Sequence, residues 1–270
     1  METQIFTSVN QAFSKQSDYF DDYDYQNPIL VYMREQVHQH VLKFLPQKAN
    51  YLELNAGTGL DVCYFASQRP EGTFHATDLS DGMIEKLQKK VISLSLDKQI
   101  SVQQCSFLEL DKVENKQYNY VFSDFGGLNC AKDLKDVASK LIPLLADGAY
   151  VTWVIMPPIC PWELMTALKF RFSHAFRRLK RGGTMAHLEG NYFMTYYFTP
   201  SQVEKALGNN FKKVALEGLG AIIPPPERED FAKAKPVFFE KLKKWDEKVR
   251  YSFPFNVWAD HFIITFQYHK

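Results

Sequence analysis

The chain has 270 residues, enough for one large domain or two small ones with a sizeable core. Its apolar (46%) and charged (23%) fractions are those of an ordinary globular protein, and a net charge of +1 supplies no global field toward nucleic acid. Four scattered cysteines (Cys63, Cys105, Cys130, Cys160), without a CxxC pair or a short Cys/His spacing, argue against a zinc site or a disulfide framework and fit a reducing compartment.

The first residues, METQIFTSVNQAFSKQSDYFDDYD, lack the charged start and apolar run of a signal peptide. The most apolar run, AYVTWVIMPPIC, is too short for a bilayer, which needs about 20 residues. The expectation is a soluble cytoplasmic protein.

Residues 28–45 place Leu30, Met33, Val37, Val41 and Leu45 at helical spacing. Strands and helices then alternate. A strand at Tyr51–Leu54 precedes a helix at about Leu60–Ser67. A strand at Thr73–Thr77 precedes a helix capped by Ser80-Asp81, with Met83, Ile84, Leu87 and Val91 on one face. Ile100–Gln104 and Tyr118–Ser123 read as strands. A helix is expected near Lys132–Leu145, stopped by Asp147-Gly148, before a strand at Ala149–Met156. This βαβα order implies a parallel sheet with helices on both faces, and a ligand beyond the carboxyl ends of its strands.

After Pro157-Pro158 the rhythm breaks. In PWELMTALKFRFSHAFRRLKRGG (161–183), Met165, Leu168, Phe172, Phe176 and Leu179 form an apolar stripe at helical spacing. Six cations, Lys169, Arg171, Arg177, Arg178, Lys180 and Arg181, occur with no acid among residues 169–181. A basic amphipathic helix is expected, ended by Gly182-Gly183, to face substrate, a membrane surface, RNA or solvent. GNYFMTYYFTP (190–200) alternates aromatic residues at a strand period. A helix from Thr199-Pro200-Ser201 to Leu207, a strand at Phe211–Leu219, a proline loop at 223–226, a charged helix to about Arg250 and a strand at His261–Tyr268 complete the chain. Four segments are expected: a helical N-terminal cover (1–48), an α/β core (49–156), a lid insertion (157–198) and a completion of the sheet (199–270).

In YLELNAGTGLD (51–61), Gly57 and Gly59 sit where a strand feeds a helix, and glycine lets a ligand approach bare backbone. Asp78, nineteen residues past Gly59, ends the next strand, where a carboxylate can accept both hydroxyls of a ribose. Together they point to a nucleoside-bearing cofactor. The dinucleotide fingerprint fails at Val62, where its third glycine would stand. Glu53 at the strand end suits a ligand carrying positive charge.

LELNAGTGLD followed by ATDLSDGMI (76–84) resembles motifs I and II of the class I S-adenosylmethionine-dependent methyltransferases, of the small-molecule type 11/25 kind. The resemblance covers residues 48–156 well and the rest loosely. It implies a Rossmann-like open, mostly parallel seven-stranded sheet and S-adenosyl-L-methionine as cofactor. Carried over, Glu53, Asn55, Gly57 and Gly59 lie on the methionine side, Asp78 holds the ribose, and Leu79 and Met83 pack on the adenine. Asn55 replaces the first glycine, and Asn adopts left-handed conformations more readily than most residues. In QQCSFLEL (103–110), Ser106 stands where the family often has an aspartate facing the adenine amino group, with Phe107 beside the ring. VFSDFGGLNC (121–130) resembles a segment of small-molecule members bordering donor and acceptor, which makes Asp124 and Phe125 site residues. Related enzymes fold an N-terminal segment over the cofactor. Here Tyr19, Tyr23 and Tyr25 lie among four aspartates, and Arg34 is the guanidinium that would meet the methionine carboxylate.

Methyl transfer needs alignment more than a base, so no catalytic residue is assigned; His174 and His187 read as surface residues. SDFG does not match the [DN]PP[YF] segment of amide and adenine methylation, and no Pro-Cys marks a cytosine enzyme. The acceptor expected is a small apolar or anionic molecule. The alternatives are RNA methylation, suggested by the basic segment, and a non-catalytic cofactor- or partner-binding protein, suggested by Asn55 and Ser106. No metal site is expected, and oligomeric state is left open.

Overall fold

In the computed structural model, residues 2–114 and 116–270 are described, with side chains from residue 7 onward; Met1, the first residue of the expected N-terminal cover, and Asn115 lie outside the described residues. Three helices lead: α1 (Glu2–Gln16), α2 (Phe20–Gln26) and α3 (Pro28–Phe44). The alternating core follows as β1 (Asn50–Leu54), α4 (Leu60–Gln68), β2 (Thr73–Asp78), α5 (Asp81–Ser93), β3 (Ile100–Gln104), β4 (Tyr118–Ser123), α6 (Leu134–Leu141) and β5 (Leu145–Ile155). Next come α7 (Pro161–Leu164), α8 (Phe172–Ala175) and a hairpin of β6 (Thr184–Leu188) and β7 (Asn191–Thr195). The chain closes with α9 (Pro200–Leu207), β8 (Phe211–Leu219), α10 (Glu229–Ala234), α11 (Pro236–Val249) and β9 (His261–Tyr268).

Seven strands form one sheet in the order β3-β2-β1-β4-β5-β9-β8. All pairings from β3 to β5 are parallel, and β9 runs antiparallel to both its neighbours. Strand alternation divides the buried side chains between two cores. Tyr51, Ala76, Tyr120, Phe122 and Val154 pack toward α3, α4 and α5. Leu52, Val121, Val151, Trp153 and Phe262 pack on the other face, toward α6 and α9. Successive strand residues point to opposite faces, so a strand with few polar positions feeds both cores. Strand order reverses between β1 and β4, which sets the crevice above their carboxyl ends.

Local signals explain the ends. Asn27 caps α3 by accepting from the Ile29 and Leu30 amides, with Pro28 in the first turn. Ser80 caps α5, and Thr199 and Gln202 form a capping box on α9.

Two expectations need correction. The helix expected to reach Leu145 ends at Leu141. A 3-10 turn containing Pro143 follows, because proline lacks the amide proton that a helix uses. Asp147-Gly148 then lies inside β5, with Gly148 at φ +77 beside a register shift against β4. The second correction concerns the basic amphipathic helix of 161–181, which does not exist. Short α7 and α8 alternate with 3-10 turns, and Phe170 adopts left-handed backbone at φ +57, which ends any helix there. The supposed buried stripe is exposed at Met165, Leu168, Phe172, Phe176 and Leu179. A different demand sets the local structure. Buried Arg178 pairs with Glu163 and with Asp260 at 2.7 Å each, and Arg177 grips Glu163 with two nitrogens at 2.7 Å. Burial pulls the Glu163 carboxyl up, but these guanidinium groups outweigh it and hold it below the ordinary range.

Candidate functional site

A cavity of about 310 Å³ sits above the carboxyl ends of β1, β2 and β4. It is lined in part by Asn55, Gly57, Asp78, Leu79, Met83, Phe107, Asp124 and Phe125. These eight came from the sequence alone, scattered over 71 positions from 55 to 125, and the parallel sheet gathers them at one edge.

The loop after β1 is shaped by backbone constraints. Asn55 has φ +58, so it holds the left-handed conformation in place of a glycine, and its amide donates to Ser123 Oγ at 2.8 Å. A Cβ on Gly127 would lie 2.6 Å from that same amide, so the second glycine of the post-β4 turn makes room for Asn55. Gly57 has φ +54, and nothing lies within 4 Å of where its Cβ would be; that space is the cavity. Gly59 differs. Its Cβ would meet Leu87 Cδ1 at 2.1 Å, so this glycine serves the packing of α5 and does not line the cavity.

Asp78 fastens the loop. Oδ2 accepts the Gly57 amide at 2.9 Å and Oδ1 the Ser80 amide at 2.8 Å, which leaves acceptor capacity on each oxygen. Burial raises this carboxyl above its ordinary range, against the pull of the backbone donors.

Three elements cover the cavity. α1 contributes Val9 and Phe13, the start of α2 contributes Phe20, and the β6–β7 hairpin contributes Ala186, Phe193 and Thr195. Phe13 and Phe193 meet across it with ring centres 5.8 Å apart. α1 is held against α5 by Ser14, whose Oγ bonds Ser80 Oγ at 2.9 Å and accepts the Gly82 amide at 3.0 Å. A Cβ on Gly82 would stand 2.6 Å from the Ser14 carbonyl. Tyr19 donates to Glu189 of the hairpin. Neither Tyr19 nor Tyr23 nor Tyr25 lines the cavity; of the residues between them only Phe20 does.

Beneath the loop lies a carboxylate cluster. Arg34 donates to Asp24 and Asp61, lies 3.7 Å from Asp124, and stacks 4.7 Å over the Phe125 ring. Its guanidinium is thus occupied within the protein and not turned to the cavity. His38 contacts Asp61 at 2.7 Å. Burial first, then the Asp61 charge, lifts the carboxyls of Glu53 and Asp124 well above their ordinary range. Asp61 itself is held low because Arg34 and His38 outweigh its burial. Glu53 is buried behind the loop, and Ser106 is buried with its Oγ accepting from the Leu108 amide at 3.2 Å; neither borders the cavity.

A family model described as a methyltransferase domain matches residues 52–148, the span holding the loop, Asp78 and Asp124. The match agrees with the resemblance of this span to the class I S-adenosylmethionine-dependent methyltransferases. Solved structures agree in fold. A Listeria monocytogenes protein assigned as an S-adenosylmethionine-dependent methyltransferase aligns over 86% of this chain and 96% of its own, with TM-score 0.59 at 16% identity. Geranyl diphosphate C-methyltransferase of Streptomyces coelicolor A3(2) aligns over 87% and 79%, with TM-score 0.58 at 11% identity. Phosphoethanolamine N-methyltransferase 2 of Haemonchus contortus aligns over 87% and 52%, with TM-score 0.57 at 18% identity. No curated protein matches the chain in sequence.

The resemblance implies S-adenosyl-L-methionine as cofactor, and the Streptomyces coelicolor structure was solved with S-adenosyl-L-homocysteine. The residues present suit the cofactor: an open space at Gly57 that a side chain would fill, and acceptor capacity left on the Asp78 carboxylate that lines the cavity. Sequence reasoning missed the cover of this cavity, namely Val9, Phe13, Phe20, Met156 and the hairpin residues. Phe193 was visible in an alternating aromatic run, but no pattern in α1 shows which neighbour it will meet. Cys130 also lines the cavity, its thiol pushed up to about 12 by burial and then by the Asp78 charge, so it is no nucleophile near neutral pH. His187 packs on Tyr192, and His174 is exposed; neither reaches the cavity.

Proposed function

We propose that this methyltransferase acts on a small, largely apolar acceptor. The observation that carries the reading is the cavity wall: Phe13, Phe20, Phe125, Met156 and Phe193 continue from the cofactor-facing loop to the hairpin, with no Lys, Arg or His among the lining residues. The solved neighbours named for geranyl diphosphate and phosphoethanolamine handle phosphorylated molecules. A phosphate calls for a cation or a cluster of donors, and this lining offers neither, so the anionic half of the acceptor expectation is given up.

In this reading Asp78 holds the ribose, while Asn55 and the bare backbone at Gly57 face the methionine portion. Leu79, Met83 and Phe107 flank the adenine, and Asp124 with Phe125 stands at the methyl end. Bound S-adenosylmethionine supplies an electrophilic methyl group for in-line displacement. The protein's part is to align the acceptor and exclude water, which the Phe13–Phe193 contact does.

The test is an acceptor screen scored by S-adenosylhomocysteine release, with apolar alcohols and amines in one arm and phosphorylated analogues in the other. Turnover confined to the phosphorylated arm sinks the reading. RNA methylation loses two of its six cations, because Arg177 and Arg178 are tied to Glu163 and Asp260.

A further inference from the structure

Between Glu163 and Glu189 the chain has no acidic residue. Glu163 is consumed by Arg177 and Arg178 beneath the surface. The remaining cations of this stretch, Lys169, Arg171, Lys180 and Arg181, are exposed, and none makes an ion pair among the described residues. Among them stand the exposed side chains of Met165, Leu168, Phe170, Phe172, Phe176 and Leu179. Leu168 and Phe170 are 84% and 85% exposed, nearly as open as free side chains.

Scattered exposed apolar residues are ordinary, but six within fifteen positions are not. Phe170 adds a conformational argument. A bulky residue at φ +57 is strained, and here the strain holds a phenyl ring out in water, edge-on to Phe172 at 6.3 Å. Below it, the buried Glu163–Arg178–Asp260 ion pairs anchor the segment to the first residues of β9's approach.

We propose that residues 165–181 dock this protein on an anionic lipid surface. Leucine and phenylalanine enter the boundary between headgroups and chains, while the four unpaired cations meet anionic headgroups. The cations lie in the same surface segment as the apolar groups, which is the charge arrangement such a surface requires. A nucleic acid would use the cations and rings but has nothing to offer Leu168, Met165 and Leu179. The segment runs directly into β6, where Thr184 Oγ1 donates to the Arg177 carbonyl at 2.8 Å, and the same hairpin supplies the cavity wall. Met185 and Tyr192 face outward on it. An apolar acceptor dissolved in the bilayer would then reach the cavity along the hairpin. That route rests on the proposed acceptor class, whereas the docking itself does not.

The experiment is co-sedimentation of the full chain with vesicles of phosphatidylcholine alone and of phosphatidylcholine with about a quarter phosphatidylserine, at low and high salt. Two variants are compared: Leu168→Ser/Phe170→Ser, and Lys169→Glu/Arg171→Glu/Lys180→Glu/Arg181→Glu. The chain is expected to partition onto the anionic vesicles, with a loss of about tenfold or more in either variant and a marked loss in high salt. The melting temperature and its rise with S-adenosylhomocysteine should stay unchanged in both, since these side chains are exposed and outside the cavity. No sedimentation of the wild type, or equal sedimentation of all three proteins, overturns the proposal. So does a dimer in light scattering that the apolar pair abolishes, or retention of RNA that the charge variant abolishes while vesicles are ignored. Vesicle binding with no turnover of any apolar acceptor would instead count against the acceptor reading alone.

Discussion

Gly57 donates its backbone amide to Asp78 Oδ2 at 2.9 Å, so the end of β2 holds the loop that follows β1. The same carboxylate has lone pairs left over for a ligand. Two functions therefore meet in one side chain, and they can be separated by substitution.

Asp78→Asn keeps the shape but removes the charge, and Asp78→Ala removes both. Hydrogen bonds to a charged group contribute about 1.5–3 kcal/mol, so calorimetric titration should show S-adenosylmethionine affinity falling about 10- to 100-fold in the alanine variant. Unchanged affinity would remove Asp78 from the ribose site.

Cofactor binding should also depend on pH. Burial places the Asp78 carboxyl above its ordinary range, so the free protein protonates it sooner than a solvated aspartate as pH falls. The protonated form accepts poorly from ribose hydroxyls, and affinity should decline as pH drops through that raised value. For folding the sign is opposite: the native state binds this proton more firmly than the unfolded chain. The contribution of Asp78 to stability is therefore present at low pH and fades as pH rises through the folded value. Affinity that stays flat as pH is lowered from neutrality to the acid limit of the folded state would leave the first claim without support.

Gly57 and Gly59 should separate cleanly. Gly57→Ala introduces a Cβ into the cavity and should impair cofactor binding, with a stability loss of about 1–2 kcal/mol from the left-handed backbone. Gly59→Ala meets Leu87 at 2.1 Å besides its own strain at φ +83, and should lose about 2–4 kcal/mol in urea unfolding. The opposite ranking in stability would contradict the packing role of Gly59.

Arg34→Met leaves Asp24, Asp61 and Asp124 with a buried charge excess. Breaking a buried pair on one side destabilises by about 3–5 kcal/mol, which melting curves at neutral pH should show. Asp61 is held below its ordinary range mainly by Arg34, so wild-type stability from it exists above the unfolded carboxylate pKa and is lost as pH falls. Without Arg34 that term vanishes, and the gap between variant and wild type should narrow only as pH falls below the unfolded carboxylate value of about 4. A gap that stays constant with pH would mean the loss is one of packing.

Much of this protein was legible in the amino-acid sequence. The alternation of strands and helices, the helix starts at Ser80 and Thr199, and the left-handed turn at Asn55 and Gly57 are local events set by residues within a few positions of one another. Local backbone preference and side-chain period are encoded in neighbours, so Asp78, Leu79 and Met83 could be placed at a strand end and a helix start without coordinates.

Pairings distant in sequence were settled only by the tertiary structure. Glu163 met Arg178 and Asp260, which broke an apparent amphipathic helix into turns and turned its apolar stripe outward. Leu87 claimed the space beside Gly59, Asp24 and Asp61 claimed Arg34, and Phe13 found Phe193 across the cavity. A buried charge takes whatever partner the fold brings within reach, because leaving it unpaired is so unfavourable, and no periodicity announces that partner.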